Sequence, residues 1–332
     1  MRRAVVVVVA LVTPGLGWAP VGAAASVAVT EYQGVACPTA TSCVAVGVDA
    51  SGDLVAARLD AAGSPGPVSV SPSAMYPSGA PACPSAATCY AAGTDANNDG
   101  TVTPIAVATG HVGTPQEQDA TIGEYHGMAC ATPTTCYAAG VSKGDVSGDA
   151  EYSVVTNGRP GRAVAIPGSG SSSGMQAACP PSASSCLVVG NYGTSGFVAI
   201  VSGPKVTALE TITAYAYSVA CPSASQCVIV GSHSLGSDPA FVTFDPVTGA
   251  LGHVTAAHGA AGTFDGVACS SDQSCVIVGS GQTGGEWLAL TSGRPGPVHA
   301  TTAFLYGVGC GKGGPCYAAG SEKGVGVVLR LP

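Results

Sequence analysis

The sequence predicts an all-β fold, a seven-bladed β-propeller, from three observations. One pattern returns seven times: two cysteines separated by five or six small or polar residues, then three apolar residues and a glycine. Successive first cysteines lie 41 to 49 residues apart, which is the length of one four-stranded propeller blade. The 48 glycines and 24 prolines are spread along the chain, and no long stretch has helical periodicity, so short strands joined by tight turns are favoured.

Each repeat divides into four predicted strands, illustrated by the first. An apolar run before the first cysteine, residues 34–36, is the innermost strand A. Residues 44–46 after the second cysteine form strand B, which Gly47 is expected to end. Residues 54–59 form strand C, and residues 68–70 form strand D after a Gly-x-Pro-Gly turn. Val-rich runs bounded by such turn residues are typical of strands.

The cysteines flank the turn between strands A and B, where opposite Cβ atoms come within disulfide reach. Zinc is the alternative, but the pairs are more widely spaced than zinc knuckles, and no histidines complete the sites. We therefore expect one disulfide in each blade between nearest cysteines. These pairs are Cys37–Cys43, Cys83–Cys89, Cys130–Cys136, Cys179–Cys186, Cys221–Cys227, Cys269–Cys275 and Cys310–Cys316.

The two ends of the chain suggest how the ring closes. After Cys316 there is room for strand B, residues 317–319, and strand C, residues 325–331, but not for a strand D. Residues 26–30 alternate like a strand and precede the first strand A. We expect this N-terminal strand to pair with the C-terminal strands and close one domain, residues 26–332, because closure removes open sheet edges.

Residues 1–25 are interpreted as a signal peptide. Arg2 and Arg3 precede an apolar run, residues 4–12, that is too short to span a bilayer, and small residues up to Ala25 offer a cleavage site. No later stretch resembles a membrane span. The net charge of −8 and only 9% charged residues give no electrostatic footprint for nucleic acid or anionic lipid. We expect a secreted, extracellular monomer.

The run Gly-Val-Ala-Cys-Pro-Ser-Ala-x-x-Cys-Val-x-Val-Gly, followed closely at residues 218–231 and 266–279, resembles the repeats of secreted actinobacterial β-propellers. It is also similar to photosystem-assembly and sialidase-type propeller repeats. The resemblance covers all seven repeats and implies the propeller fold. It does not imply sialidase activity, because the Ser-x-Asp-x-Gly-x-Thr-Trp box and an arginine triad have no counterpart here.

The residue four positions before each first cysteine is expected to ring one mouth of the central channel, where loops from strand D to A and from B to C meet. Unlike the rest of the repeat, this position changes from blade to blade, which suits a pocket for a polar ligand such as a sugar. The alternative is strand-start residues that merely face channel water. The position holds Gln33, Gly79, His126, Met175, Tyr217, Asp265 and Tyr306. The candidate ligand-binding residues are Gln33, His126, Tyr217, Asp265 and Tyr306.

The loops between strands B and C carry acidic residues at alternate positions. Asp95, Asn97 and Asp99, followed by a glycine, match the first half of a calcium loop. Position twelve is Ala106, so the bidentate glutamate is missing. Ordinary turn chemistry selects the same residue types, so calcium, the one cofactor suggested, stays an alternative.

For function, the sequence supports three hypotheses. The first is a non-catalytic propeller that binds an extracellular protein or glycan at the channel mouth. The second is a carbohydrate-binding, lectin-like propeller. The third is a propeller glycosidase or lyase, in which His126, Asp265 and Tyr306 would act together. No nucleophile elbow, zinc-protease motif or phosphate loop is present, and nothing in the spacing requires catalysis.

Overall fold

A computed structural model describes residues 27–117, 122–143, 148–169, 172–234 and 237–332. Within these ranges the chain forms 29 β-strands and no helix, so no described segment is a helix that could cross a membrane. The strands group into seven antiparallel meanders around a common axis, each running outward from an inner strand. This confirms the predicted seven-bladed β-propeller.

The blades follow one another along the chain. The strands of blades 1 to 3 are β1 (Val29–Thr39), β2 (Ser42–Asp49), β3 (Asp53–Leu59), β4 (Pro65–Met75), β5 (Thr88–Thr94), β6 (Gly100–Ala106), β7 (His111–Val112), β8 (Gln116–Glu117), β9 (Ile122–Cys130), β10 (Thr135–Ser142), β11 (Ala150–Thr156) and β12 (Arg159–Ala165). Those of blades 4 and 5 are β13 (Ser172–Ala178), β14 (Cys186–Tyr192), β15 (Ser195–Ser202), β16 (Lys205–Ile212), β17 (Tyr215–Ser223), β18 (Gln226–Ser234), β19 (Ser237–Asp245), β20 (Ala250–Leu251) and β21 (Thr255–Ala256). Those of blades 6 and 7 are β22 (Thr263–Ser271), β23 (Ser274–Ser280), β24 (Gly285–Thr291), β25 (Arg294–Pro295), β26 (His299–Thr301), β27 (Phe304–Cys310), β28 (Cys316–Glu322) and β29 (Val325–Leu331).

Blade 2 departs from the regular pattern. Its inner segment is not a continuous strand, and a single bridge, Ala82 with Tyr90, pairs it with β5. The outer strand is divided in blades 2, 5 and 6, where two short strands pair with the same strand C. Blade position is therefore set by strands B and C, and the inner and outer strands vary around them.

The core consists of seven apolar clusters, one between each pair of neighbouring blades. Strand B supplies residues to the clusters on both of its sides. In blade 1, for example, Val44 and Val46 face blade 2, and Ala45 faces blade 7. A strand that is buried on both faces has an uninterrupted apolar sequence. This explains the apolar triplet that follows the second cysteine of each pair.

All seven predicted disulfides are present, one in each blade. They join strand A to strand B beside the turn, and in blade 3 the two cysteines lie directly opposite each other in the ladder. The second cysteine of each pair is buried, and the first is half-buried. No described cysteine is free. Such a set of bridges suggests an oxidising, extracellular environment.

The ring closes through the N-terminal strand, but not by the predicted pairing. The seventh cluster joins blades 1 and 7, where Tyr32 and Val35 of β1 share a core with Tyr317 of β28, and the Tyr317 hydroxyl donates to the Ala61 carbonyl at 3.2 Å. We predicted that residues 26–30 pair with the C-terminal strands as an outer strand. That prediction is wrong for Val29, which begins β1 and pairs with β2. Residue 26 lies outside the described residues.

A hydroxyl group explains where the start of the chain is held. Thr30 Oγ1 donates to the carbonyls of Val48 at 3.0 Å and Asp49 at 3.2 Å, so these first residues are tied to strand B of their own blade. Blade 7 accordingly has three strands among the residues described. The first and last blades are therefore held together by side-chain packing.

The glycine of each repeat has a role that differs from the expected one. Strand B does not end there: β2, β10, β18, β23 and β28 all continue beyond it. In five blades an added Cβ would overlap a carbonyl oxygen of strand A, which crosses directly over the glycine. The five glycines are Gly47, Gly140, Gly231, Gly279 and Gly320. The glycine is thus required by the close approach of two backbones.

We expect Gly279→Ala to lower the free energy of unfolding by about 2 to 3 kcal/mol, because the new methyl group overlaps the Thr263 carbonyl in a packed sheet. Gly66→Ala is the matched control, since its Cβ would lie 3.3 Å from the nearest atom, the Arg58 carbonyl oxygen. Urea unfolding of the oxidised proteins measures both. Equal stability of the two variants would contradict the role given to the glycine.

Candidate functional site

The five candidate residues occupy one structural position, a β-bulge near the start of the inner strand. In each of their blades the preceding residue pairs with the strand B glycine, and the candidate residue is the extra one that has no opposite partner. A bulge re-aims the side chain that it carries. Gln33, His126, Tyr217, Asp265 and Tyr306 are all half-buried, whereas the preceding residues, among them Tyr32 and Phe264, lie in the core.

Blades 2 and 4 break this ring. Blade 2 has Gly79 at the position and contributes no side chain. In blade 4 the prediction that Met175 lies at the mouth is wrong, because this side chain is fully buried in the core. The irregularity there spans Gly174, which has a φ of +61°, so the following side chains change direction. No residue type in the sequence marks this shift, apart from a glycine in a glycine-rich stretch.

Gln176 is the residue that sequence reasoning missed. It donates from Nε2 to the His126 carbonyl at 2.7 Å. Its side-chain atoms lie against Gly127 of blade 3 and Gly79 of blade 2, where any Cβ would collide with them. Gln176 therefore fills the space that the missing side chains of neighbouring blades leave open, and it links three blades.

In blades 5 to 7, each candidate side chain is supported by a neighbour within its blade. The Tyr217 ring lies parallel to that of Tyr215, with centroids 6.2 Å apart. Thr263 Oγ1 donates to Asp265 Oδ1 at 2.8 Å. The Tyr306 hydroxyl is 3.0 Å from Ser321 Oγ, and either can donate. These contacts fix the orientation of two phenols and one carboxylate.

Blades 1 and 3 present a charged side of the same mouth. Gln33 donates to the carboxylate of Glu31, two residues earlier. His126 Nε2 lies 3.9 Å from Glu124 Oε2. Burial lowers the pKa of His126, and the nearby Glu124 carboxylate opposes that effect only in part. His126 is therefore a neutral imidazole at physiological pH.

The strongest electrostatic perturbation at the mouth belongs to Asp265. Burial raises the pKa of Asp265 to about 6, although hydrogen bonds from Thr263 and Ser280 act in the opposite direction. Burial also raises the pKa of Tyr217, the Ser232 hydroxyl lowers it in part, and the charge of Asp265 adds to the increase. Strand β22, which carries Asp265, packs against β17, which carries Tyr217.

A polar group without a partner lies near this part of the mouth. Asn191 Oδ1 accepts a hydrogen bond from Ala216 N at 2.6 Å, but Asn191 Nδ2 is buried and has no hydrogen-bond partner within the described chain. An added Cβ on Gly174 would lie 3.3 Å from Asn191 Nδ2 and 3.6 Å from the Tyr217 ring. Unsatisfied buried groups are uncommon, and this one lies on the same side of Gly174 as Tyr217.

The suggested calcium loop is used differently. Asp95 Oδ1 accepts hydrogen bonds from the amides of Asn97 and Asp99, both at 2.8 Å, and Asp95 Oδ2 accepts one from Asn97 Nδ2. The Lys143 ammonium lies 2.6 Å from Asp99 Oδ1. A cation already neutralises Asp99, so the residues fit a turn better than a calcium site. No cluster of three or more acidic, His or Cys ligands occurs in the described ranges.

Two further loops carried the same acidic pattern. Asp49 Oδ1 accepts from the amides of Ser51 and Asp53, as Asp95 does in blade 2. The third loop begins at Asp145, and residues 145–147 lie outside the described residues. The alternating acidic residues of blades 1 and 2 therefore stabilise the backbone of the turn, as Asp commonly does.

The possible catalytic set does not form a connected group. His126, Asp265 and Tyr306 lie in blades 3, 6 and 7, and no hydrogen bond or ion pair joins any two of them in the part of the chain that is described. Their side chains instead contact Glu124, Thr263 and Ser321, respectively. A base oriented by a second group, which acid–base catalysis requires, is not assembled from these three.

A second opening lies on the opposite face, among the turns between strands A and B. This cavity has a volume of about 550 Å³ and is lined by turn residues and by half-buried cysteines such as Cys221 and Cys269. Its lining is mostly Pro, Ser and Ala, and Asp272 and Lys312 are its charged side chains. The face with the A–B turns has this cavity, whereas the mouth has varied side chains that neighbouring groups hold in place. Side chains held in a fixed orientation are the better indicator of a specific site.

Comparisons with known proteins extend only to the fold. No protein-family model matches the chain, and no curated protein matches it. Hydrazine synthase of Kuenenia stuttgartiensis is similar in structure, with a TM-score of 0.70 and 12% identity, over 95% of this chain and 99% of that chain. The likeness shows the fold alone.

Two further solved structures agree with it. The β-propeller domain of Cps50 (Swd1) from Myceliophteria thermophila has a TM-score of 0.64 and 10% identity, over 91% of this chain and 96% of that chain. U3-55K has a TM-score of 0.60 and 10% identity, over 91% of this chain and 92% of that chain. At these identities the propeller is shared and the site residues are not informative.

We expect Asp265→Asn to gain stability relative to the natural protein as the pH rises. The folded pKa of about 6 exceeds the unfolded value, so Asp265 binds its proton more tightly when folded. The natural protein therefore loses stability as the pH rises from about 4 to about 6, whereas the amide of the variant does not titrate. Urea unfolding at pH 4 and pH 7.5 should show a relative gain of about 2 kcal/mol for the variant. A constant difference would contradict the burial of this carboxylate.

Calcium should leave the thermal stability unchanged at millimolar concentration, because Lys143 pairs with Asp99 and the Asp95 carboxylate is engaged by the turn. Differential scanning fluorimetry with calcium, and with magnesium as the control, measures this. A calcium-specific rise in melting temperature that Asp99→Asn abolishes would restore the calcium hypothesis.

Proposed function

We propose that the chain is a secreted, non-catalytic propeller that binds a ligand or partner at the channel mouth. The observation that supports it most is the set of five bulged side chains. They share one backbone position, differ in chemistry from blade to blade, and are each oriented by a neighbouring group. A scaffold that repeats its core but varies one ring of half-buried residues has the general form of a binding surface.

The location outside the cell rests on two supports. The seven intrablade disulfides are stable in an oxidising compartment. The sequence before residue 26 has the pattern of a secretory signal peptide. A binding role, rather than hydrolysis or elimination, is favoured because the titratable groups of the mouth are not linked into a proton-transfer set.

The electrostatic character of the mouth limits the ligand. The bulged residues and those two positions before them include the carboxylates of Glu31, Glu124 and Asp265, and none of these ten residues is Lys or Arg. A polyanion would meet repulsion at this face. The fitting ligands are neutral or cationic groups of an extracellular protein or glycan.

The proposal is tested by probing the labelled, oxidised protein on a glycan array and on an array of secreted and cell-surface proteins. Gln33→Ala, Tyr217→Ala and Tyr306→Ala alter the mouth, and Lys312→Ala, on the opposite face, is the control. We expect saturable binding that at least one mouth variant weakens tenfold or more and that the control retains.

Three results would contradict the proposal. Binding that Lys312→Ala abolishes and the mouth variants retain would place the site at the disulfide face. Two blank arrays would count against a binding role. Cleavage of an arrayed glycan, detected by mass spectrometry and lost in Asp265→Asn, would make the chain an enzyme. Melting temperatures of all variants establish that the folds are comparable.

A further inference from the structure

Four of the eight Tyr, Phe and Trp side chains of the described chain that are not buried lie at the starts of the inner strands of blades 5 and 7. Most tyrosines and phenylalanines of the described chain lie in the core or pack beneath the surface. Tyr215 and Tyr217 stand at the start of β17, and Phe304 and Tyr306 stand at the start of β27. All four are half-buried or exposed. The Tyr215 and Tyr217 rings are stacked with centroids 6.2 Å apart. Phe304 and Tyr306 both adjoin Ser321, Phe304 by strand pairing and Tyr306 through its hydroxyl group.

Blade 6 lies between these two pairs and contributes no ring. It places Thr263 and Asp265 at the same two positions, joined by a hydrogen bond of 2.8 Å. The charge of Asp265 acts on the Tyr217 phenol, and strand β22 lies between β17 and β27. The resulting arc, defined as Tyr215, Tyr217, Thr263, Asp265, Phe304 and Tyr306, has a carboxylate flanked by aromatic rings on both sides.

This combination has a specific recognition chemistry. Aromatic rings bind the apolar C–H faces of a sugar, and an oriented carboxylate accepts hydrogen bonds from its hydroxyl groups. Hydroxyl groups of Thr263, Tyr306 and Ser321 add donors and acceptors at fixed positions. A ligand that offers an apolar face on one side and hydroxyl groups at its edge therefore complements the arc.

The charges on the other side of the mouth limit which class of sugar could bind. Glu31 and Glu124 accompany Gln33 and His126 there, so uronic and sialic acids would face carboxylates. A neutral sugar meets no such repulsion. Gly79 and the buried Met175 leave blades 2 and 4 without a bulged side chain, so the aromatic rings that could stack on a sugar are those of the arc.

We propose that the arc of blades 5 to 7 is a binding site for a neutral carbohydrate, with the rings stacking on the sugar and Asp265 accepting its hydroxyl hydrogens. This inference rests on the proposed binding function at the mouth and assigns its ligand class. Tyr217 is the central residue, because its ring stacks on Tyr215 and its strand packs against β22, which carries Asp265.

The test uses an array of neutral and acidic glycans, followed by calorimetric titration of the best neutral oligosaccharide. Tyr217→Ala should weaken binding tenfold or more. Tyr217→Phe keeps the ring and should weaken it less than threefold. Asp265→Asn should weaken it about fivefold, because the amide accepts fewer hydrogen bonds. Tyr76→Ala is the matched control, since Tyr76 is 55% exposed and lies outside the arc; it should bind as the natural protein does.

The outcomes separate this inference from the proposed function. Binding only to acidic glycans, or binding that Tyr217→Ala leaves unchanged, overturns the carbohydrate site. A blank glycan array together with protein-array binding that Gln33→Ala or Tyr306→Ala weakens overturns it as well, but retains a binding role for the mouth. Blank arrays of both kinds overturn both proposals.

Discussion

The contact between a strand A carbonyl and a strand B glycine governs both the path of the inner strands and the direction of the side chains at the mouth. Because the glycine has no Cβ, the inner strand can cross directly over it. In five blades the residue that pairs with the glycine is followed directly by an extra residue in strand A, such as Gln33 in blade 1 and Asp265 in blade 6. A feature that looks like a turn signal in the sequence therefore marks the place of the bulge. The bulge presents one half-buried, variable side chain in each of these five blades, next to a core residue such as Tyr32.

Much of the fold could be predicted from the sequence, because the residues that determine it lie close together in the chain. The cysteine pairs, the apolar triplets and the turn residues each act within one hairpin, so strand order and disulfide pairing could be predicted. The register of the inner strand depends on contacts between strands, and this is why Met175 and Gln176 exchange roles without warning. The pairing of the N-terminal strand was hard to predict for the same reason. Whether Val29 pairs with β2 or with β29 is decided by competition between two distant partners, and the hydroxyl of Thr30 favours β2.

The candidate site was predictable by position but not by character. Sequence spacing placed the five side chains on one ring, yet treated them as equivalent. Their surroundings divide them into a charged side, with Glu31 and Glu124, and an aromatic side centred on Tyr217. The acidic loop of blade 2 shows the converse case. Its residue types suit a cation, but Lys143, more than forty residues away in the chain, reaches Asp99 and only the folded structure brings them together.

Every disulfide joins two strands of the same blade, at a sequence separation of six or seven residues. Covalently, the molecule is a linear string of stapled hairpins, and its circular form is maintained by packing between blades together with hydrogen bonds such as that from Tyr317 to the Ala61 carbonyl. The interface between blades 7 and 1 is one cluster among seven of the same kind, so the ring has no privileged seam. Such a molecule is suited to circular permutation. Joining the region near Pro332 to that near Val29 and opening the chain in another loop between blades would move the termini without removing a single bridge.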